Sequence, residues 1–567
     1  DAEKLELSKG THTGALYKDK QAGISVTNWE DSYSPELNGK KSGFLKQYEI
    51  NRSAAITDEN TIIWGADWTL YKTDRDGNVL WKIPVPGEVW AVNSIGDIVT
   101  AAYDDGTIRW HRLSDGKELM ALMINDDMKR WVLYTLEGYY ASSPGGEELI
   151  GWHINNGKDK EADFFPASRF AERFYRPDIL ELVLELKDTE KAIETANKTR
   201  NIKTTALISE SLPPIVNIIN PSSGYFSNSE TVEITASIRT LTEQPVTETK
   251  ILLNGRLYEG GERGISIKSK DGAERKYKIK VLQGENTISV LARNNSGWSE
   301  ASTIRVNYKN TTGEDQDFVI MPKLYILAIG VSDYNDSSLK LRYPSKDAND
   351  FAEVMKKQEK KLYREVVIRL LTDQNATKDN ILDGLEWIQR ETTSKDVAMI
   401  FIAGHGMNDS SGDLYYLPQD VRIDKLKRTG LLAEEVINTI SSIAGKVIYF
   451  MDTCHSGNMK VTGRRGEAVD ATKVVMELSS AENGAIVFAS STGRQYSLED
   501  DKWNNGAFTK ALVEGLSGKA AITGTERISI NMLDLYISER VKDLTGGKQH
   551  PTTAKPDMIR DFPIAVK

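Results

Sequence analysis

The stretch Lys446–Gly457, KVIYFMDTCHSG, decides how the second half of this chain is read. Val447 to Met451 form a short apolar run of the kind buried on both faces of a parallel sheet. The run stops abruptly at Asp452-Thr453-Cys454-His455-Ser456-Gly457, all small or polar. Cys454 is the only cysteine among 567 residues. A second apolar run, Ala398–Gly406 (AMIFIAGHG), ends in a histidine between two glycines, and Cys454 follows His405 by 49 residues.

Around these runs, strand patterns alternate with helical ones. Strands are expected at Lys323–Val331, Val366–Leu371, Val397–Ala403, Val447–Met451 and Ala485–Ala489, with helices over Ser345–Lys360, Lys378–Arg390, Ala433–Ile443 and Ala507–Leu516. This alternation implies a mostly parallel sheet covered on both faces, with a site beyond the carboxyl ends of its strands. His405 and Cys454 both fall there. A thiolate is the nucleophile, and an imidazole can take its proton and return it to a leaving amine. The amides of Gly406 and Cys454 are candidates for holding the oxyanion. His455 is a rival base, but adjacent strand residues face opposite ways, which favours His405. Asp452, two residues before Cys454, shares its face and would select a basic side chain; capping of a nearby helix is the alternative.

The first half reads differently. Eight of the eleven tryptophans lie before residue 153. Hairpin dipeptides Asn38-Gly39, Asp76-Gly77 and Asp115-Gly116 recur at spacings of 38 and 39 residues. That period resembles WD-repeat β-propeller blades without the Trp-Asp dipeptide, in an incomplete ring; an irregular β-meander is the alternative. Residues 168–212 read as a helical linker. Residues 213–310 carry short alternating strands of immunoglobulin-like sandwich character, with no cysteine pair. The expected organisation is multidomain: an all-β partial propeller (1–167), the linker (168–212), a β-sandwich (213–310) and an α/β domain (320–567).

Net charge is −10, from 72 basic and 82 acidic residues, which argues against non-specific nucleic-acid binding and a polybasic membrane patch. No apolar run approaches the roughly 18 residues of a membrane span. One cysteine excludes an intramolecular disulfide or a thiolate zinc cluster and suits a reducing compartment, so a cytoplasmic location is expected. The chain opens on Asp1 rather than methionine, as a trimmed or partial chain would.

His405-Gly406 after one strand and Asp452–Gly457 after another resemble the caspase-like cysteine peptidases, specifically the metacaspase branch with its bacterial relatives. Leu341–Ala348 (LRYPSKDA) and Asn505–Thr509 (NGAFT) extend the resemblance over about residues 322–567. It implies a Cys454/His405 dyad and a basic-selective pocket from Asp347 and Asp452, with further substrate contacts near Ser490 and Ser491. Cleavage is then expected after Arg or Lys of protein substrates. The family's frequent self-cutting after the nucleophile points to Lys460, Arg464 and Arg465 in the loop 458–473. Ala403 and Pro344 stand where metacaspases often carry a serine and a pocket cysteine. Many metacaspases bind calcium through an aspartate cluster; Asp420 matches one such position, but no partner pair is found in the segment that follows, so no cofactor is expected to be required, with calcium at Asp420 as the alternative. The front modules would recruit partners or restrain the peptidase. The alternative from another class is a binding scaffold with an inactive caspase-like domain.

Overall fold

A computed structural model describes residues 20–21, 23–159, 161–200, 202, 212–242, 244–258, 263–267, 273–309, 321–409, 411–454, 471–491, 497–556 and 558–567. The chain divides into two compact units, Asp1–Lys203 and Thr204–Lys567. Among the described residues no helix is long and apolar enough to cross a membrane.

The first unit is built from meanders. Asn51–Ile56, Ile62–Ala66, Thr69–Thr73 and Val79–Pro84 form one four-stranded sheet in sequence order, and six consecutive strands from Val89–Ile95 to Tyr140–Ser142 form another. The three dipeptides sit at hairpin turns, where positive φ is needed and small residues supply it: Asn38 and Gly39 (53° and 77°), Gly77 (87°) and Gly116 (77°). The helix Pro177–Leu186 packs onto this unit, burying Leu180 against Met120, Trp131, Leu133 and Ala141.

In the second unit, residues 215–308 form two sheets around one apolar core that includes Ile234, Ile251, Ile279, Ile288 and Val306. One edge of this module meets the domain that follows. A Cβ on Gly255 would come 2.8 Å from Ile559 Cγ1, and one on Gly484 would come 2.7 Å from the Gly255 carbonyl, so bare backbone is needed at both. Arg256 is buried there, with Nη2 donating to the Val447 carbonyl at 3.4 Å. Burial without a carboxylate pushes its guanidinium down to about 9.

The following domain holds a sheet in the order Glu365–Thr372, Lys323–Gly330, Val397–Asn408, Lys446–Cys454, Ile486–Ala489, all parallel, closed by antiparallel Thr552–Ala554. Side chains alternate between two cores. Leu327, Ile329, Ile400, Tyr449 and Met451 meet the helices Lys378–Glu391 and Ala433–Ser442 on one face. Ile326, Phe401, Phe450 and Phe488 meet Pro344–Lys356, Ala507–Glu514 and Ile530–Thr545 on the other. Phe351 stacks on Phe401 and Phe450 on Phe488, which ties the helix layer to the strands. The α/β architecture agrees with the sequence reading; the long helix Ile530–Thr545 and the pairing of Arg527–Ser529 with Pro563–Val566 were not foreseen.

Candidate active site

The two central strands run in register to their ends, and the last pair is His405 with Cys454. Adjacent strands lie about 4.8 Å apart, so the two backbones are neighbours at the carboxyl edge of the sheet. The side chain of Cys454 and residues 455–470 lie outside the described residues. That removes His455 and the expected cleavage positions Lys460, Arg464 and Arg465 from structural account.

His405 is buried, 4 % exposed. Its Nε2 lies 2.8 Å from the Leu339 carbonyl, which can only accept, so Nε2 carries the proton. Nδ1 then keeps the lone pair. The Tyr334 ring lies beside the imidazole, centroids 5.3 Å apart. Gly406 sits where the histidine strand leaves the parallel ladder and pairs in register with Tyr416 of the strand Leu414–Tyr416.

Asp347 and Asp452 come together around Gly506. A Cβ on that glycine would lie 3.1 Å from Asp452 Oδ2 and 3.2 Å from Asp347 Oδ2. Both carboxyls are 2 % exposed. Asp347 accepts from Asn505 Nδ2 at 2.8 Å and from the Gly506 amide at 3.1 Å. Asp452 accepts from Ser497 Oγ at 2.8 Å and Thr509 Oγ1 at 2.6 Å. The Thr509 amide, in the first turn of Ala507–Glu514, also hydrogen-bonds Asp452, which is the helix-capping role expected as the alternative. Burial raises both pKa values above the ordinary carboxylate range. For Asp347 the neighbouring Asp452 charge adds to that, while the hydroxyls of Thr509, Ser497 and Ser490 partly offset it for Asp452.

Ser490 is 1 % exposed and its amide donates to the Met451 carbonyl at 2.8 Å. It stands behind Asp452, while Ser491 is buried beside it at the strand end. Gln549, from the C-terminal part of the chain, donates to the Ser490 carbonyl and accepts from the Leu498 amide, both at 2.9 Å. Asp420 stands apart from this cluster: its Oδ1 accepts the Lys378 amide at 3.0 Å, at the start of Lys378–Glu391. Among the described residues, no three His, Cys, Asp or Glu side chains gather as a metal site would require.

One acid was missed. Glu499 is half-buried, and burial followed by the Asp452 charge raises its pKa. Its Oε1 is enclosed with no hydrogen-bond partner among the described residues. In sequence it belongs to Glu499-Asp500-Asp501, an acidic run before a turn that reads as solvated surface. Nothing local distinguishes its first member from the other two.

Residues 323–563 match the family model described as the caspase domain, which supports a cysteine peptidase. No curated protein matches the chain. Among solved structures, a Geobacter sulfurreducens protein is similar at 19 % identity, covering 43 % of this chain and all of its own, with a TM-score of 0.32. The caspase precursor pro-sf-caspase-1 is similar at 15 % identity over 41 % of this chain and 91 % of its own, TM-score 0.26. Fibronectin(III)-like modules of Clostridium thermocellum CbhA are similar at 20 % identity over 17 % of this chain and 98 % of their own, TM-score 0.14.

Proposed function

We propose that the caspase domain is an endopeptidase of the metacaspase type that cuts after Arg or Lys. The approach of Asp347 and Asp452 around Gly506, with Glu499 paired to Gly506 along the backbone and close enough to feel the Asp452 charge, carries this reading. Three carboxyls in a low-dielectric site repel an acidic side chain and favour a cation, best a planar guanidinium.

Cys454 is the nucleophile and His405 the base. Nδ1 takes the thiol proton, the thiolate adds to the scissile carbonyl, and the same nitrogen returns the proton to the departing amine. Water then hydrolyses the thioester with His405 again as base. The amides of Gly406 and Cys454 are assigned to the oxyanion. Ser490 supports Asp452, and Ser491 lines the approach to it. Cleavage of the enzyme's own 458–473 loop after Lys460, Arg464 or Arg465 would follow from a high effective concentration of tethered substrate. On this reading no cofactor is required, and calcium bound near Asp420 is the alternative that the peptide assay varies. The front modules, a partial propeller and an immunoglobulin-like sandwich on this reading, would bring protein partners to the peptidase.

Matched fluorogenic peptides ending in Arg, Lys or Asp, with Cys454→Ala as control and calcium varied, test the proposal. Hydrolysis of the Arg and Lys peptides alone, lost in the control, is expected. Preference for Asp would overturn the pocket assignment. Activity on none, or equal activity in the control, would leave a binding scaffold.

A further inference from the structure

We propose that Tyr334 is a positioning residue that fixes the catalytic base. This rests on the Cys454/His405 reading above.

The histidine strand outruns its neighbour. Pairing with the strand Lys323–Gly330 ends at Gly330 opposite Ala403, and the Val331 amide still reaches the Ala403 carbonyl at 3.1 Å. In a parallel ladder the amide and carbonyl of residue 405 point to the same side as the carbonyl of 403, into space where no strand continues. Two groups fill it. The Leu417 amide donates to the His405 carbonyl at 2.9 Å, and the His405 amide donates to the Tyr334 hydroxyl at 2.9 Å. A buried amide left without a partner destabilises the strand end, so the hydroxyl is needed for the strand to reach this far.

Tyr334 makes a second contact that a water molecule could not. Its ring lies against the imidazole at an interplanar angle of 31°. The third constraint, the Leu339 carbonyl on Nε2, comes from the same short segment. That segment is braced along its length. Asp373, itself at a left-handed φ of 44°, accepts the amides of Ser332 and Asp333, each at 2.9 Å. Gln419 exchanges hydrogen bonds with Asn335, its carbonyl accepting at 3.0 Å and its Nε2 donating at 2.9 Å. Asp336 caps the turn Ser337–Leu339, accepting the Ser338 amide at 2.9 Å. One braced segment therefore holds the base at its backbone, its ring face and its distal nitrogen.

Gly404 reports the same fit from the other side. Its φ is 148°, and a Cβ there would meet the Tyr334 hydroxyl at 2.9 Å. The glycine leaves room for that oxygen.

The test uses the full chain and needs no substrate, because Cys454 is the sole thiol. Alkylation by iodoacetamide is followed by mass spectrometry across pH. In the wild-type protein the imidazole takes the thiol proton, so the rate inflects below the ordinary thiol value of about 8.5. Tyr334→Phe keeps the ring and the fold but removes the hydroxyl; its inflection is expected to move toward about 8.5, as in His405→Ala. Gly404→Ala should shift the profile the same way by displacing the hydroxyl, and adding Tyr334→Phe to it should produce less than the sum of the two shifts. A Tyr334→Phe profile that overlays wild type while His405→Ala shifts would overturn the Tyr334 assignment alone. An unshifted His405→Ala profile would overturn the dyad, and the positioning role with it.

Discussion

Replacing Thr509 by Val removes one hydroxyl from a site with no solvent and nearly no change in shape. Thr509 is fully buried and its Oγ1 donates to Asp452 Oδ2 at 2.6 Å, a short contact of the charge-assisted kind. A hydrogen bond to a charged group contributes about 1.5–3 kcal/mol, and one between neutral groups about 0.5–1.5. The cost of the substitution should therefore depend on whether Asp452 carries its charge. Burial raises the Asp452 pKa, so the folded protein holds that proton at a pH where the unfolded chain has released it. Between those two values the native state binds more protons, and stability falls as pH rises. Above the folded-state pKa the bond to the carboxylate is lost in full; below it only a neutral bond is lost. For the 364 residues of the second unit, an unfolding entropy of about 2.1 cal/mol/K per residue converts these costs to about 2–4 °C where Asp452 is ionised and about 1–2 °C where it is protonated. Differential scanning calorimetry of the full chain, following the transition of that unit, reads the shift. A depression that stays the same across a series of pH values would refute the idea that Asp452 changes its charge within it.

Gly506→Ala places a methyl group between the two pocket carboxyls; the Michaelis constant for Arg peptides should rise about tenfold, the loss of about 1.4 kcal/mol of binding, while iodoacetamide alkylation of Cys454 stays as in wild type. Unchanged peptide kinetics would show that the cation binds elsewhere. Arg256→Met removes a buried guanidinium whose Nε has no partner among the described residues, so the melting transition of the second unit should hold or rise at pH 7. A fall of several degrees would mean that the bond to Val447 outweighs the cost of burying the charge. Asp420→Ala should cost about 1 kcal/mol through the freed Lys378 amide, read by urea titration, with the same response to added calcium or chelator as wild type. Loss of a calcium response in that variant would restore Asp420 as a ligand.

Periodicity made the α/β domain legible because its central strands are buried on both faces. Continuous runs such as Lys323–Val331 and Val447–Met451 have few other ways to be satisfied. The same logic placed His405 and Cys454 at strand ends. It stopped short at the C-terminus: Ile530–Thr545 has an apolar face, but Asp534, Glu539, Arg540, Lys542 and Asp543 dilute the stripe. The pocket was legible only where a residue sits at a fixed offset from a strand end, as Asp452 does from Cys454. Asp347 required the family resemblance, since it lies on a helix about a hundred residues earlier. Glu499 and Tyr334 escaped because their roles depend on which loops the fold brings together. The expectation that Asp452 stands ready for substrate needed one addition: its oxygens already hold Ser497 and Thr509, so the proposed selector also anchors a helix.

The carboxyl pocket is also a matter of timing. Asp347 meets Asn505 across 158 residues, Asp452 meets Thr509 across 57, and Gln549 joins Ser490 to Leu498 from the C-terminal part of the chain. During synthesis, at about 5–20 residues per second, the histidine and cysteine strands emerge several seconds before the parts that complete the specificity pocket. On the proposed reading, a nascent chain carries its nucleophile while still lacking the means to hold a basic side chain. If the proposed cleavage after Arg or Lys holds, that order would shield the ribosome-bound chain from itself until its last hundred residues have folded into place.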